Sequence, residues 1–194
     1  MNFLAGKGAE INRKDKQGYT ALHSAARHRD DLVLEALLKL KADVNALDAD
    51  GYTALHHAVL RNHGPAVTAL AASGADLDAV GDAGLTPLML AAGKESRRLT
   101  LGAGVSRVEK IDPKEPDPLA ITRALIAKGA NVNAVSKSGV TALLLAAAHN
   151  NTPIVGFLAE SGADRNFRNA DGKTASDIAL KNGNTAVVSL LRLL

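Results

Sequence analysis

A Gly-x-Thr motif that recurs five times constrains the fold of this 194-residue chain more than any other feature. The five pairs are Gly18 and Thr20, Gly51 and Thr53, Gly84 and Thr86, Gly139 and Thr141, and Gly172 and Thr174. Successive glycines are 33, 33, 55 and 33 residues apart, so one copy exceeds the period by 22 residues. A fixed period of this length indicates a solenoid of stacked units that share one continuous core.

One copy reads Asp50-Gly51-Tyr52-Thr53-Ala54-Leu55-His56-His57-Ala58 and resembles the Gly-x-Thr-Pro-Leu-His-x-Ala signature of the ankyrin repeat. The resemblance runs from about Leu4 to the C-terminus. It implies an all-α solenoid of helix-turn-helix units with short β-hairpin fingers, forming a single domain over residues 1–194. The Ala-rich, imperfect units look more like a bacterial ankyrin protein than a consensus design. We predict a half repeat at 1–14, repeats at 15–47, 48–80, 81–135, 136–168 and 169–194, and an insertion at about 97–118.

Each unit is predicted to contain a turn, a short helix, a second turn and a longer helix. In the first complete unit, Thr20 caps a helix that ends near residue 28, and a second helix covers about 31–40. The ankyrin repeat usually has glycine where this chain has Lys41, so we expect a less relaxed helix end there. After the insertion, Asp117 and Pro118 are predicted to restart the helix as its cap and first residue.

Composition excludes several kinds of site. The chain has no cysteine, which excludes disulfides, thiolate metal sites and cysteine nucleophiles. Aromatic residues make up only 3% of the chain, so Ala, Leu and Val must build the core. The longest apolar run, Ala142 to Ala148, is too short to span a bilayer, and no membrane segment is expected. A formal charge of +3 is too small to indicate nucleic-acid binding by itself.

The sequence predicts that the chain begins in mid-repeat. Leu4 and residues 8–12 match Leu37 and residues 41–45, which form the second half of a repeat. We therefore expect the chain to be a piece of a longer protein. Its compartment stays open between the cytoplasm and, if a signal peptide was removed, the bacterial periplasm.

No catalytic, metal or cofactor site is predicted. The resemblance implies that His23 and His56 are structural residues whose hydrogen bonds tie one repeat to the next. No nucleophile or acidic partner stands at a fixed offset from them. His57 and His63 lack the spacing of metal ligands. A phosphate-binding loop at Gly93-Lys94 is rejected because Leu88 stands where the motif has its first glycine and Glu95 where it has a hydroxyl residue.

A column of basic residues is predicted at the ends of the first helices. In ankyrin folds these ends and the turn tips line one concave face, whose residues vary freely. Because the repeats stack in parallel, the column should form a positive stripe. The alternative is that helix ends favour cations because of the helix dipole. The column contains His28, Arg61, Lys94, His149 and Asn182, with Arg27 and Lys181 beside it.

The turn tips carry mixed side chains. Tyr19 and Tyr52 are the only tyrosines, and at a variable tip position an amphipathic ring is a typical interface anchor. The insertion begins beside Lys94, so it is either one wall of the site or an inert surface loop. The tip residues are Lys16, Gln17 and Tyr19; Asp50 and Tyr52; Asp82 and Leu85; Lys137, Ser138 and Val140; and Asp171 and Lys173.

These features favour a non-enzymatic, monomeric module that binds another protein with an acidic patch, and no small-molecule substrate. Two other hypotheses stay open. An anionic polymer or nucleic acid would use the same stripe with steep salt dependence. Alternatively, the array is an internal scaffold or regulatory segment of a larger protein.

Overall fold

The computed structural model describes residues 10–81, 84–93 and 117–193, and these contain ten helices and no strand. The predicted all-α repeat architecture is confirmed. None of the helices in these ranges is long and apolar enough to cross a membrane. The helices are α1 (Ala21–His28), α2 (Asp31–Lys39), α3 (Ala54–Leu60), α4 (Gly64–Ala72), α5 (Pro87–Ala92), α6 (Pro118–Ala127), α7 (Ala142–Ala148), α8 (Thr152–Glu160), α9 (Ala175–Lys181) and α10 (Thr185–Leu193).

The recurrent threonines begin the first helix of each unit, as predicted. Each takes an extended backbone conformation, and in the second to fifth units the threonine hydroxyl accepts a hydrogen bond from the amide three residues later. In the first unit the Thr20 hydroxyl instead lies 2.9 Å from His23 Nδ1. The Oγ1–N distance is 3.4 Å at Thr53, 3.3 Å at Thr86 and Thr141, and 3.2 Å at Thr174. One helix-initiating device therefore recurs through the stack.

The second helices end in a left-handed residue. Three of the described units place glycine there, and the first places Lys41 at φ 61°. This confirms the expectation that Lys41 occupies a position suited to glycine, because a side chain in this region is strained. The glycines are Gly74, Gly129 and Gly162, at φ 86°, 99° and 89°.

The core runs along the whole stack. First helices pack on first helices through equivalent leucines that are at most 1% exposed: Leu22, Leu55, Leu88 and Leu143. Alanines such as Ala26 and Ala58 are fully buried between them and let the helices approach closely. The second helices add larger side chains, with Leu34, Leu70, Leu125 and Leu158 nearly inaccessible.

The stack is continuous across the predicted insertion. In ordinary neighbouring repeats, the Asn45 Oδ1 accepts from the Asp76 amide at 2.8 Å. The same bond joins Asp78 Oδ1 to the Asn131 amide at 2.9 Å, although 53 residues separate them. Asp117 caps α6 by accepting from the Leu119 amide, as predicted. Most of the predicted insertion, residues 97–116, lies outside the described residues.

The predicted hairpin fingers are tight turns in the described residues. In the second unit, the Asp48 amide donates to the Tyr52 carbonyl at 2.9 Å, which closes the turn with too few ladder bonds for a strand. Neighbouring fingers are joined by a bond from the Ala49 amide to the Gln17 carbonyl. Gly18 is required at this joint because it has φ 79° and a Cβ would lie 2.7 Å from the Ala49 nitrogen.

Candidate functional site

An aspartate at the base of each of the first two fingers holds the finger backbone through hydrogen bonds. Asp15 Oδ1 accepts from the Gln17 and Tyr19 amides, both at 2.9 Å. Asp48 Oδ1 repeats this arrangement with the amides of residues 50 and 52, at 3.0 and 2.8 Å. These bonds fix the finger backbone and therefore the positions from which the Tyr19 and Tyr52 side chains project.

Asp48 also forms a buried hydrogen bond with His57. The Asp48 Oδ2 and His57 Nε2 atoms are 2.7 Å apart, and the two side chains are 1% and 8% exposed. Burial alone would raise the pKa of Asp48, but the hydrogen bonds from His57 and the Tyr52 amide hold that pKa below its usual range. Sequence reasoning missed this pair and also His63, which is buried and bonds Asp31 at 2.7 Å.

Both tyrosines pack against the histidines. The His57 ring makes edge contacts with Tyr19 and Tyr52, at centroid distances of 5.2 and 6.1 Å, and with His23 at 5.7 Å. The rings are therefore half-buried, and they fill the corner between the first two fingers and the first helices. Each tyrosine ring covers a buried histidine, so both rings contribute to packing as well as to the exposed surface.

His23 and His56 join successive repeats, as the resemblance implied. The Thr20 amide donates to His23 Nδ1 at 3.1 Å, so His23 is neutral with its proton on Nε2 and donates to the Tyr52 carbonyl at 3.0 Å. His56 makes the same bonds with Thr53 and the Leu85 carbonyl. Burial lowers the pKa of His56 to about 4 and lowers the pKa of His23. Both histidines serve the framework.

Tyr52 also covers the base of the third finger. A Cβ at Gly81 would overlap the Tyr52 ring, although the Gly81 backbone needs no positive φ. Glycine therefore takes the place of the finger aspartate because the aromatic ring occupies that space. In this finger, Leu85 is half-buried and closes the turn through its carbonyl, which accepts from the Gly81 amide at 3.3 Å.

The basic helix-end column is exposed wherever the structure describes it. Arg27 lies over the Tyr19 ring, with its Cζ 5.6 Å from the ring centroid, so this helix end faces the fingers. His28 also bonds the Ser24 carbonyl, and Asn182 bonds the Ala148 carbonyl. The exposed members are Arg27, His28, Arg61, His149, Lys181 and Asn182. Lys94 and Asp82, also predicted to bind a partner, lie outside the described residues.

The other tip residues divide by exposure. Val140 is half-buried and packs against the core, as Leu85 does. The remaining tip residues are exposed: Lys16, Gln17, Asp50, Lys137, Ser138, Asp171 and Lys173. The fingers therefore present polar tips above partly apolar bases.

The groove floor, defined here as the first-helix positions equivalent to His57, was also missed. His57 contacts both tyrosines, which places these positions in the corner between fingers and helices. The first helices of neighbouring units are adjacent at these positions, because a Cβ added at Gly93, after the end of α5, would lie 3.7 Å from the Cβ of Leu145 in α7. The sequence signal that could have identified the floor is the recurrence of apolar residues at these equivalent positions. The floor residues are Ser24, His57, Leu90, Leu145 and Ile178, the last three half-buried.

The described part of the chain brings no three histidine or carboxylate side chains together as a metal site. The Asp48–His57 pair has the same two residue types as a catalytic dyad, but both side chains make contacts that hold the fold. Its carboxylate holds a finger, and its imidazole lies beneath two aromatic rings. Both side chains of the pair are therefore engaged in contacts within the fold.

Comparison with known proteins agrees with this architecture. A family model described as ankyrin repeats (3 copies) matches residues 1–81, 45–100 and 114–193. The chain is 34% identical over 193 residues to the nuclear factor NF-kappa-B p105 subunit of Gallus gallus, covering 97% of this chain and 14% of that protein. It is 34% identical over 108 residues to the neurogenic locus Notch protein of Drosophila melanogaster, covering 55% of this chain and 4% of Notch.

An ankyrin repeat protein of Acanthamoeba polyphaga mimivirus is 33% identical over 79 residues, which are 41% of this chain and 11% of the viral protein. The chain thus spans less than a sixth of the length of each of these relatives. Because the family model covers most of the chain, in register with the Gly-x-Thr period and the stacked helices, the chain belongs to the ankyrin repeat family.

Proposed function

We propose that this chain is a non-enzymatic, monomeric module that binds an acidic surface of another protein through its concave groove. Ankyrin repeats are in general protein–protein interaction modules, so the family supports this class of function. The groove is bounded by the fingers on one side and the first-helix ends on the other. Its partner-contacting residues are those of the exposed basic column and the finger tips.

The observation that carries the proposal is the position of Arg27 and Arg61. Both side chains are exposed on the helix ends. Arg27 lies against Tyr19, which shows that this end of the helix faces the fingers. The stack itself is held by leucines, alanines and neutral histidines, so these cations are not needed for folding. Exposed cations beside half-buried aromatic rings suit an acidic protein surface.

The tyrosines contribute as fixed anchors. Tyr19 and Tyr52 are half-buried against His57, so little side-chain entropy remains to be lost when a partner covers them. An anchor that is already packed before binding contributes to affinity through preorganisation. Replacing Tyr52 is therefore expected to weaken binding and also to lower stability, because the ring covers Gly81 and His57.

The proposal is tested by recovering partners from a lysate of the source organism with the native chain and with an Arg27→Glu, Arg61→Glu variant. Lys128→Glu with Arg165→Glu is the matched control, because it makes the same charge change at exposed positions away from the first-helix ends. A protein recovered by the native chain and control but lost from the groove variant supports the proposal. Equal recovery by all three chains refutes it, and recovery that disappears after nuclease treatment indicates a nucleic acid instead.

A further inference from the structure

The groove floor changes its chemistry along the stack. In the first two units the floor positions carry Ser24 and His57, and His57 is covered by the finger tyrosines and paired with Asp48. In the later units the same positions carry Leu90, Leu145 and Ile178, which are partly buried against the core and partly open to the groove. An apolar strip therefore exists only in the C-terminal half.

This apolar strip has exposed basic residues on both sides. On the finger side, Lys173 is exposed one finger beyond the half-buried Val140. On the helix-end side, His149 and Lys181 are exposed. Asp171, at the tip of the same finger as Lys173, is a carboxylate among these tip and helix-end cations. A ligand that fits this half must be apolar along one stripe and acidic on both flanks.

The spacing of the strip favours a helical ligand. Helices packed side by side are about 8–10 Å apart, so successive floor residues repeat at about that distance. Two heptad-related residues of an α-helix are about 10.5 Å apart on one face. Residues on one face of a β-strand repeat at about 6.6 or 13 Å, and both values lie further outside the 8–10 Å range than the helical repeat does. Polyproline ligands dock on aromatic-lined grooves, and the floor residues Leu90, Leu145 and Ile178 are aliphatic.

We propose that the C-terminal half of the groove binds an acidic amphipathic α-helix of a partner protein. The helix lies along the stack, with an apolar residue of each heptad against Leu90, Leu145 or Ile178. Its acidic residues face Lys173 on one flank and His149 and Lys181 on the other. This inference rests on the proposed function and names the chemistry of the partner.

The test uses the full chain and a synthetic helical peptide of about three heptads, with leucine at a and d and glutamate at e and g. A peptide of the same composition in scrambled order is the control. Methyl NMR reports which leucine and isoleucine side chains the peptide contacts, and fluorescence anisotropy gives the affinity. We expect shifts at Leu90, Leu145 and Ile178 with the amphipathic peptide only.

Variants then separate the apolar strip from its flanks. Leu145→Ser copies the residue of the first unit and is expected to weaken binding roughly tenfold. Leu32→Ser makes the same change at a position that is 83% exposed on α2, and should leave affinity unchanged. Lys173→Glu and Lys181→Glu, which lie on the surface and leave the core intact, should each weaken binding roughly threefold.

Equal binding of the scrambled peptide, or methyl shifts confined to other residues, would overturn the helical-ligand inference. The proposed function fails separately, when natural partners are recovered equally by the native chain and the Arg27→Glu, Arg61→Glu variant. A natural partner that depends on those arginines while the amphipathic peptide fails to bind would refute only the inference.

Discussion

Replacing His57 by leucine should destabilise the first two units by about 3 kcal/mol. The side chain of Asp48 is only 1% exposed, and His57 supplies the hydrogen bond to its Oδ2. Removing the hydrogen-bond partner of a buried charge typically costs about 3–5 kcal/mol, because the charge stays buried without it. The lower end applies here, since the amides of Asp50 and Tyr52 continue to bond Oδ1.

The later units show how the free-energy cost of replacing His57 by an apolar residue can be offset. Where the floor position is apolar, the finger base carries no charge. In the fifth unit, whose floor residue is Ile178, the finger-base residue is Asn169. It still holds its finger by accepting from the amides of residues 171 and 173 at 3.0 and 2.9 Å. The double variant Asp48→Asn, His57→Leu should therefore recover about 2 kcal/mol relative to the sum of the two single variants. The other uncharged pairs are Gly81 with Leu90 and Ser136 with Leu145.

The assay is urea unfolding of the native chain, both single variants and the double variant at pH 7. Amide exchange at Asp50 and Tyr52 reports the finger itself, which matters because a repeat array need not unfold in one step. The matched control is the cycle of Asp31→Asn with His63→Leu. Asp31 is 53% exposed, so water replaces the histidine and the coupling should stay below about 1 kcal/mol.

The pair also has a defined pH dependence. Because the pKa of Asp48 is held low in the folded chain, its stabilisation is present above the unfolded pKa of about 3.9 and is lost as pH falls through the folded value. The double variant lacks this acid-sensitive contribution. Additive effects at Asp48 and His57, to within about 0.5 kcal/mol, would refute the reasoning that His57 compensates a buried charge.

Three further changes test the framework around the groove. Lys41→Gly should raise the free energy of unfolding by about 0.5–1 kcal/mol in urea, because it relieves a left-handed lysine. Gly81→Ala should cost about 1–3 kcal/mol by displacing the Tyr52 ring, whereas Gly156→Ala, with its Cβ in ordinary contact, should stabilise α8 in the same thermal scans. In the native chain the free energy of unfolding should fall between pH 6.5 and about 4, because the unfolded chain takes up a proton at His56 that the folded chain cannot, a contribution of about 3 kcal/mol at most. His56→Met should flatten this fall, and an unchanged slope would contradict the reasoning.

The repeat framework could be predicted from sequence because its determinants are local. Thr53 caps a helix through the amide three residues later, and Lys41 stands where the other units place glycine. Each signal recurs at the same period, so every copy tests the others. The helix bounds follow from these caps and from proline at the first turn, as at Pro118.

The corner contacts could not be predicted, because they depend on residues from different units. His57 contacts Tyr19 from the preceding unit, and Tyr52 covers Gly81 in the following one. Alignment of the units shows only that tyrosine occupies two tip positions, which is equally compatible with an exposed ring. The inter-unit distance decides between an exposed and a packed ring, and only the stacked structure supplies it.

The two halves of the groove fill the same corner in different ways, and under the proposed function the two halves contribute differently to binding. In the N-terminal half, His57, Tyr19 and Tyr52 fill the corner, so the surface offered to a partner is rigid, aromatic and already packed. In the C-terminal half, Leu145 and Ile178 fill it only partly, so apolar area remains to be buried. Burial of apolar area supplies most of the affinity of such a contact, while rigid aromatic and charged positions restrict which partners fit. If the proposed function holds, substitutions in the C-terminal floor should lower the affinity through lost apolar burial, and substitutions of the aromatic corner and Arg27 should lower it through lost preorganised and charged contacts.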